Sequence, residues 1–326
     1  MSARPSSFVL HILVLAISAC CGLVPASAQI AVNSGSSALL SEGRTPPADF
    51  VFQKRVDEVN LLFTVVDHRG RFISDLKLDD FEILDDQRAP EKVRSFRQES
   101  DLPLHVALVI DMSSSVNSRF TFEQQSAIEF FKKILRPKID KAMVVGFNEK
   151  VHLEQDLTND LTLLGKAVNR LHPDGETALY DAVVFAADKL HDESEPGSRR
   201  VIILISDGDN NSGRAIMNDA EQAALRAEAS IFAFSTNTLD DGEYPKGEAI
   251  LELLSRYTGG EILPAREKDE VVHAFRQVEQ ALRSQYVLSY KPAAFRPDGR
   301  YRAVALNTRR PHLKVECRHG YFAPHD

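Results

Sequence analysis

Cysteine is almost absent from this chain. Three occur in 326 residues, and two of them, Cys20 and Cys21, fall in an N-terminal apolar stretch that reads as a removable leader. Cys317 then stands alone, so no intramolecular disulfide is available even in an oxidising compartment. In LKVEC, Leu313, Val315 and Cys317 alternate with Lys314 and Glu316, which predicts a strand with the thiol packed on its inner face. Signatures of catalysis are missing as well. There is no Gly-x-Ser-x-Gly elbow, P-loop, His-Glu-x-x-His or Cys-x-x-Cys, and the histidines are scattered. The expected class is therefore not an enzyme. Long apolar runs are also lacking: the longest, FVLHILVLAISACCGLV, is interrupted by His11 and stopped by Pro25, short for a bilayer span.

Positive charge is scarce where it would matter for a nucleic-acid partner. The formal net charge is −8, and residues 105–285 carry 30 acidic against 20 basic side chains. Phosphate binding needs a positive footprint, so nucleic acid is excluded as the expected partner. Only residues 286–326 reverse the balance, with 3 acidic against 8 basic. They alternate with strand residues and read as a solvated face turned toward the acidic N-terminal segment. The hydrophobic content of 43% is ordinary for a globular protein, and the length allows one large domain plus a smaller one.

The N-terminus has the layout of a secretory signal peptide over residues 1–28. Arg4 precedes the apolar run, and Ala26-Ser27-Ala28 offers small residues at positions −3 and −1 of a cut before Gln29. The expected destination is the periplasm or the exterior. Two alternatives stay open. Ile17-Ser18-Ala19-Cys20 resembles a lipobox, whose cleavage would leave Cys20 lipidated, and an uncleaved run would act as an anchor. Only these two readings bring the protein to a membrane. Residues 29–50, rich in Ser, Gly and Pro, read as a flexible linker.

The remainder divides by pattern. Over 51–103, VNLLFTVVD alternates as a half-buried strand does, HRGR reads as a turn, and EILDD and EKVRSFRQ read as short strands around an Asp/Gln/Pro turn. From 104 the pattern switches. Apolar runs at 105–110, 142–147, 201–205 and 231–235 predict strands buried on both faces. Amphipathic stretches at about 121–136, 160–171, 178–191, 215–229, 250–257 and 269–285 predict helices between them. KVHLEQDLT reads as an antiparallel edge strand. Such alternation over 104–285 predicts an α/β fold: a doubly wound, mostly parallel sheet with helices on both faces. Residues 286–326 return to strands, with a turn at Pro297-Asp298-Gly299. Neither flank has enough strands to bury a core alone. The two flanks are expected to pair into one small β-sandwich, with the α/β domain inserted in it.

Three loops carry the chemistry. HVALVIDMSSSV ends an apolar strand with Asp111, Ser113 and Ser115, a carboxylate followed by hydroxyls at i+2 and i+4. Asp-Gly-Glu-Thr precedes the helical ALYDAVVFAADKL and contributes Thr177, and Ser-Asp-Gly ends VIILI with Asp207. Capping alone would explain one such loop, because Asp and Ser bond their own backbone. It does not explain three, each at the end of an element that a doubly wound sheet directs to one edge. Hard cations such as Mg2+ take oxygen ligands and keep some waters. The next residues, Asp209, Asn210 and Asn211, read as a polar loop tip.

This pattern resembles the von Willebrand factor A family and its metal-ion-dependent adhesion site, at all five positions. The resemblance implies that Ser113, Ser115 and Thr177 ligate Mg2+ directly (Mn2+ or Ca2+ being possible substitutes), with Asp111 and Asp207 acting largely through water. It also implies that the electrophilic ion takes an Asp or Glu of a partner protein. The expected function is thus an exported metal-dependent protein-binding or adhesion module. The alternative is an extracytoplasmic scaffold whose metal site is vestigial or purely stabilising. The run from Val66 to Asp85, then Tyr-Val-Leu-Ser-Tyr and a closing Arg-x-Gly-Tyr, resembles more closely the bacterial VWFA-related family known from acidobacteria.

Overall fold

In the computed structural model, the described residues are 57–98, 101–113, 120–195, 197–237 and 246–325. The leader, the linker and Ser115 lie outside them. Among the described residues, no helix is long and apolar enough to cross a membrane.

The N-terminal flank supplies three strands: β1 (Val59–Asp67), β2 (Phe81–Asp85) and β3 (Lys92–Gln98). Alternation in β1 buries Val59, Leu61, Phe63 and Val65, as its period-two pattern predicts. HRGR turns as expected: Asp67 accepts from the backbone amides of Arg69 (2.8 Å) and Arg71 (3.0 Å). The Asp/Gln turn is tighter than the sequence suggests, with Asp86 and Gln87 both at positive φ. It joins strands that part company, because β2 and β3 belong to different sheets.

The central domain alternates strand and helix. Its strands are β4 (Leu104–Asp111), β5 (Lys141–Phe147), β6 (Val151–Thr158), β7 (Arg199–Ser206), β8 (Ala229–Ser235) and a short β9 (Ile262–Pro264). They lie in the order β6-β5-β4-β7-β8-β9, parallel except for β6. Its helices are α1 (Phe120–Ile134), α2 (Leu161–Arg170), α3 (Leu179–Glu193), α4 (Met217–Arg226), α5 (Lys246–Thr258) and α6 (Lys268–Arg283). Both faces of the sheet are covered. Val106, Leu108 and Ile110 of β4 pack with α1, α2 and α6, while Ala107 and Val109 pack with α3, α4 and α5. An apolar run with no polar alternation is what burial on two faces requires. The sequence misses β9, whose three residues are too few for a periodic signal, and shortens α5 by four residues at its start.

The C-terminal flank returns as β10 (Tyr286–Lys291), β11 (Tyr301–Thr308), β12 (Leu313–Cys317) and β13 (Gly320–Phe322). One sheet has the order β12-β1-β10-β3 and the other β13-β11-β2, so strands from both flanks interleave over one apolar core. The α/β domain leaves from β3 and returns in β10, and these two strands are hydrogen-bonded neighbours with Gln98 opposite Tyr286. Only Ser284 and Gln285 separate α6 from β10. Arg199 caps that junction, donating to the Leu282 carbonyl at 2.5 Å and to Gln285 Oε1 at 3.2 Å. The basic tail meets acids of the N-terminal flank, as the charge pattern predicts: Lys291 lies 2.9 Å from Glu91, Arg310 3.4 Å from Asp75 and Arg302 3.5 Å from Asp86. Cys317 is half-buried against the sandwich core, and burial pushes its thiol up to about 12.

Asp85 knits the two sheets together. This buried carboxylate accepts hydroxyl hydrogens from Tyr290 (2.7 Å) and Tyr321 (2.9 Å), both also buried. Asp85→Ala would strand two hydroxyls in an apolar core, each costing about 1–3 kcal/mol. The expected loss is about 3 kcal/mol, read as a lower urea midpoint with an unchanged slope. A loss below about 1 kcal/mol would show that water replaces the carboxylate.

Candidate metal centre

Asp111 is the last residue of β4, and its strand neighbour β7 sets the geometry. Register pairs Ile110 with Ile205, which brings Ser206 level with Asp111, and the Ser206 hydroxyl donates to Asp111 Oδ2 at 2.8 Å. The other oxygen, Oδ1, accepts from the Ser113 amide at 2.8 Å. From β4 the sheet continues through β5 in one direction and through β7 in the other, so the crevice lies at the topological switch point. Ligand sites of doubly wound sheets form at that carboxyl edge.

The second loop is tied to the first and to the third. The Asp174 amide donates to the Met112 carbonyl at 2.6 Å, and the Ala178 amide to the Asn148 carbonyl at 2.7 Å. Thr177, buried, donates its amide to Asn211 Oδ1 at 2.8 Å, while its carbonyl accepts from the amides of Asn211 and Ser212. Asn210 Oδ1 accepts from the Tyr180 amide at 3.2 Å, in the first turn of α3. The two asparagines that read as a polar loop tip therefore clamp the Thr177 loop with their side-chain carbonyls. Their position four and five residues past Ser206 carries no periodic signal, and only the fold shows what they reach.

The third loop is wedged against α5. Gly208 has φ +82°, and a Cβ there would lie 2.2 Å from the Gly247 carbonyl oxygen. Its amide donates to Ser206 Oγ at 3.0 Å. Asn237 Nδ2 donates to the Asp207 carbonyl at 2.7 Å and to Glu248 at 3.2 Å, and Glu248 also accepts from the Ser235 hydroxyl. Ser206, Asn237 and Glu248 were not singled out from the sequence. Ser206 stands beside a named residue, whereas Asn237 and Glu248 meet only because β8 and α5 converge.

The electrostatics are those of a negative crevice. Burial, with the Asp207 charge adding to it, pushes the Asp111 carboxyl up to about 6 against the hydrogen bonds from Ser113 and Ser206. Burial and Asp207 also raise Asp209. Among the described residues, no lysine or arginine pairs with Asp111. Nor does any group of three His, Cys, Asp or Glu come together among them, so a resident ion would draw on neutral oxygen donors as well as carboxylates. The donors fit such an ion: Asp111, Ser113 and Thr177 are all buried, and hydroxyls with few carboxylates suit a hard cation that keeps part of its water.

Residues 106–210 match the family model of the von Willebrand factor type A domain. That match covers about a third of the chain, so the α/β domain is similar to a von Willebrand A domain over this stretch. No curated protein matches the sequence. Among solved structures, a von Willebrand factor type A protein from Catenulispora acidiphila is similar at 14% identity, over 75% of this chain and 72% of that one, with a TM-score of 0.48. The vWF domain of the type V pili tip protein Mfa5 from Porphyromonas gingivalis is similar at 15% identity (55% and 94% covered, TM-score 0.45). An aerotolerance-related membrane protein from Bacteroides fragilis is also similar at 15% identity (55% and 98%, TM-score 0.46). With scores this low, the fold assignment rests on the sheet order and the family match.

Proposed function

We propose that the α/β domain holds Mg2+ at Asp111, Ser113, Ser115, Thr177 and Asp207, and that the ion captures an Asp or Glu side chain of a partner protein. The observation that carries this reading is Asp111 itself, a buried carboxylate beside a second carboxylate, with no cationic side chain paired to it among the described residues. Burying such a charge is costly unless something positive balances it, and a divalent ion does so. The ion would supply one electrophilic coordination position. The chain's hydroxyls would hold it without quenching its charge, and the asparagine clamp would keep Thr177 in place. On this reading Asp111 and Asp207 are engaged with the ion, so binding, not hydrolysis, is the expected outcome. Isothermal titration with Mg2+ and Mn2+, followed by acetate as a stand-in for the partner carboxylate, tests it. Absence of metal binding at millimolar Mg2+ rejects the reading. Metal binding without any acetate effect favours the purely stabilising site. On the same reading, the flanking strand motifs support a relation to the bacterial VWFA-related family.

Export belongs to this reading too, since a partner-capturing module of this kind is expected outside the cytoplasm. It rests on the Ala26-Ser27-Ala28 cut. N-terminal sequencing of the protein from its native host should begin at Gln29. A lipidated Cys20 would give the lipoprotein form, and an intact Met1 would overturn both processed forms.

A further inference from the structure

At the end of the sandwich opposite the α/β domain, two turns border a cleft of about 320 Å³. One joins β2 to β3 and carries Asp86 and Arg88. The other lies between β10 and β11 and carries Arg296, Asp298 and Arg300. The α/β domain leaves and returns where Gln98 meets Tyr286, whereas both turns lie beyond Lys92 and Lys291, the pair at the other end of the same two strands.

Backbone bonds pin both turns. The Asp86 amide donates to the Ala303 carbonyl at 2.9 Å, and Asp86 Oδ1 accepts from the Ala303 amide at 3.0 Å. The Arg300 amide donates to Asp298 Oδ1 at 3.1 Å, and the Arg300 carbonyl accepts from the Ala323 amide at 2.9 Å. A ligand would therefore meet side chains carried on backbone that is already placed, which lowers the cost of binding.

Every carboxylate that lines the cleft is engaged within the protein. Arg302 Nη2 donates to both Asp298 oxygens, at 2.8 and 2.9 Å, and Arg302 Nε lies 3.5 Å from Asp86. Asp85 takes the hydroxyls of Tyr290 and Tyr321. The guanidinium groups are not matched in the same way. Arg88, Arg296 and Arg300 are exposed and line the same cleft. Among the described residues, the side chains of Arg88 and Arg296 make no ion pair or hydrogen bond, and the Arg300 side chain only adds its field at Asp298. Like charges gathered in one cleft repel, and a bound oxyanion removes that cost. Ala294 is the one apolar residue of the lining, so the cleft suits a small polar anion and offers nothing to an apolar body.

We infer that this cleft binds a single phosphate group, held by Arg88, Arg296 and Arg300. Guanidinium forks meet phosphate oxygens two at a time, which makes arginine the side chain best suited to this anion. Three arginines around one cleft are a footprint for one phosphate, not for a nucleic-acid backbone. The site is separate from the metal loops and does not rest on their occupancy. A soluble phosphate ester and a lipid headgroup present the same chemistry, and the test separates them.

Calorimetry on the full chain in low-salt, Mg2+-free buffer uses inorganic phosphate, glycerol 3-phosphate and acetate. Sedimentation uses phosphatidylglycerol and phosphatidylcholine vesicles. A soluble phosphate should bind with a Kd below about 1 mM and at least about tenfold tighter than acetate, or phosphatidylglycerol vesicles should bind where phosphatidylcholine vesicles do not. The first result assigns the cleft to a free ester and the second to a headgroup. Arg88→Gln and Arg296→Gln should each weaken that binding by at least about fivefold, and together by about 25-fold. Both side chains are exposed, so circular dichroism and the urea midpoint should not move. Arg88→Lys keeps the charge but loses the fork, and should weaken binding by at least about threefold. Lys133→Gln removes the same charge from α1 and should change nothing. Binding of neither soluble phosphate nor phosphatidylglycerol would overturn the inference. So would acetate binding as tightly as phosphate, or Lys133→Gln costing as much as Arg88→Gln, since either result would leave only a general surface field.

Discussion

Asp111→Ala should reduce Mg2+ and Mn2+ affinity by at least 100-fold while leaving the metal-free protein folded. The two halves of this expectation have different causes. Asp111 anchors the crevice, since it holds the Ser113 amide and the Ser206 hydroxyl in place. Its removal would take away a proposed ligand and loosen the loop that carries Ser113 and Ser115. In the metal-free protein the same carboxylate is a burden, because burial and Asp207 both oppose its charge. Alanine removes that burden along with two hydrogen bonds, so the net change in metal-free stability should stay within about 1–2 kcal/mol. An ion that binds only the folded protein stabilises it by about 2.7 kcal/mol at 100 times its Kd. The wild type should therefore gain several degrees of melting temperature from Mg2+ and the variant none. Unchanged calorimetric affinity in the variant would sink the site assignment.

Gly208→Ala should be the more damaging change to the fold. The left-handed backbone at this position already disfavours a side chain. The added methyl would also lie 2.2 Å from the Gly247 carbonyl oxygen and 2.6 Å from its carbon, and backbone atoms at the start of α5 cannot step aside as a side chain can. Either the loop retreats, carrying Asp207 with it, or α5 is pushed from the sheet. Overpacking and strain together suggest about 3–4 kcal/mol, with metal affinity falling in parallel because Asp207 is displaced. Measured stability within about 1 kcal/mol of wild type would mean the contact between Gly208 and Gly247 is not maintained in solution.

The hydroxyls and carboxylates proposed as a metal site stand out in the sequence because each is next to a segment with a strong local signal. Apolar runs flanked by amphipathic stretches specify a parallel sheet covered on both faces, and in such a sheet the strand ends converge on one edge whatever the intervening loops contain. Periodicity likewise placed Cys317 on an inner face, and charge placed the basic tail against the acidic flank. These are properties of short segments, in which neighbours in sequence are neighbours in space.

The tertiary structure alone decided which segments meet. That β10 slots between β1 and β3, so that the α/β domain departs and returns through adjacent strands, depends on pairing residues about 190 to 230 positions apart, and no local pattern encodes a partner at that distance. The same holds for Asp85 between Tyr290 and Tyr321, for Asn210 and Asn211 clamping the Thr177 loop, and for Gly208 against Gly247. Each is a polar or steric contact between segments that side-chain periodicity treats as unrelated. Burial makes such contacts decisive, since a donor, acceptor or Cβ is tolerated inside a protein only if the distant neighbour matches it.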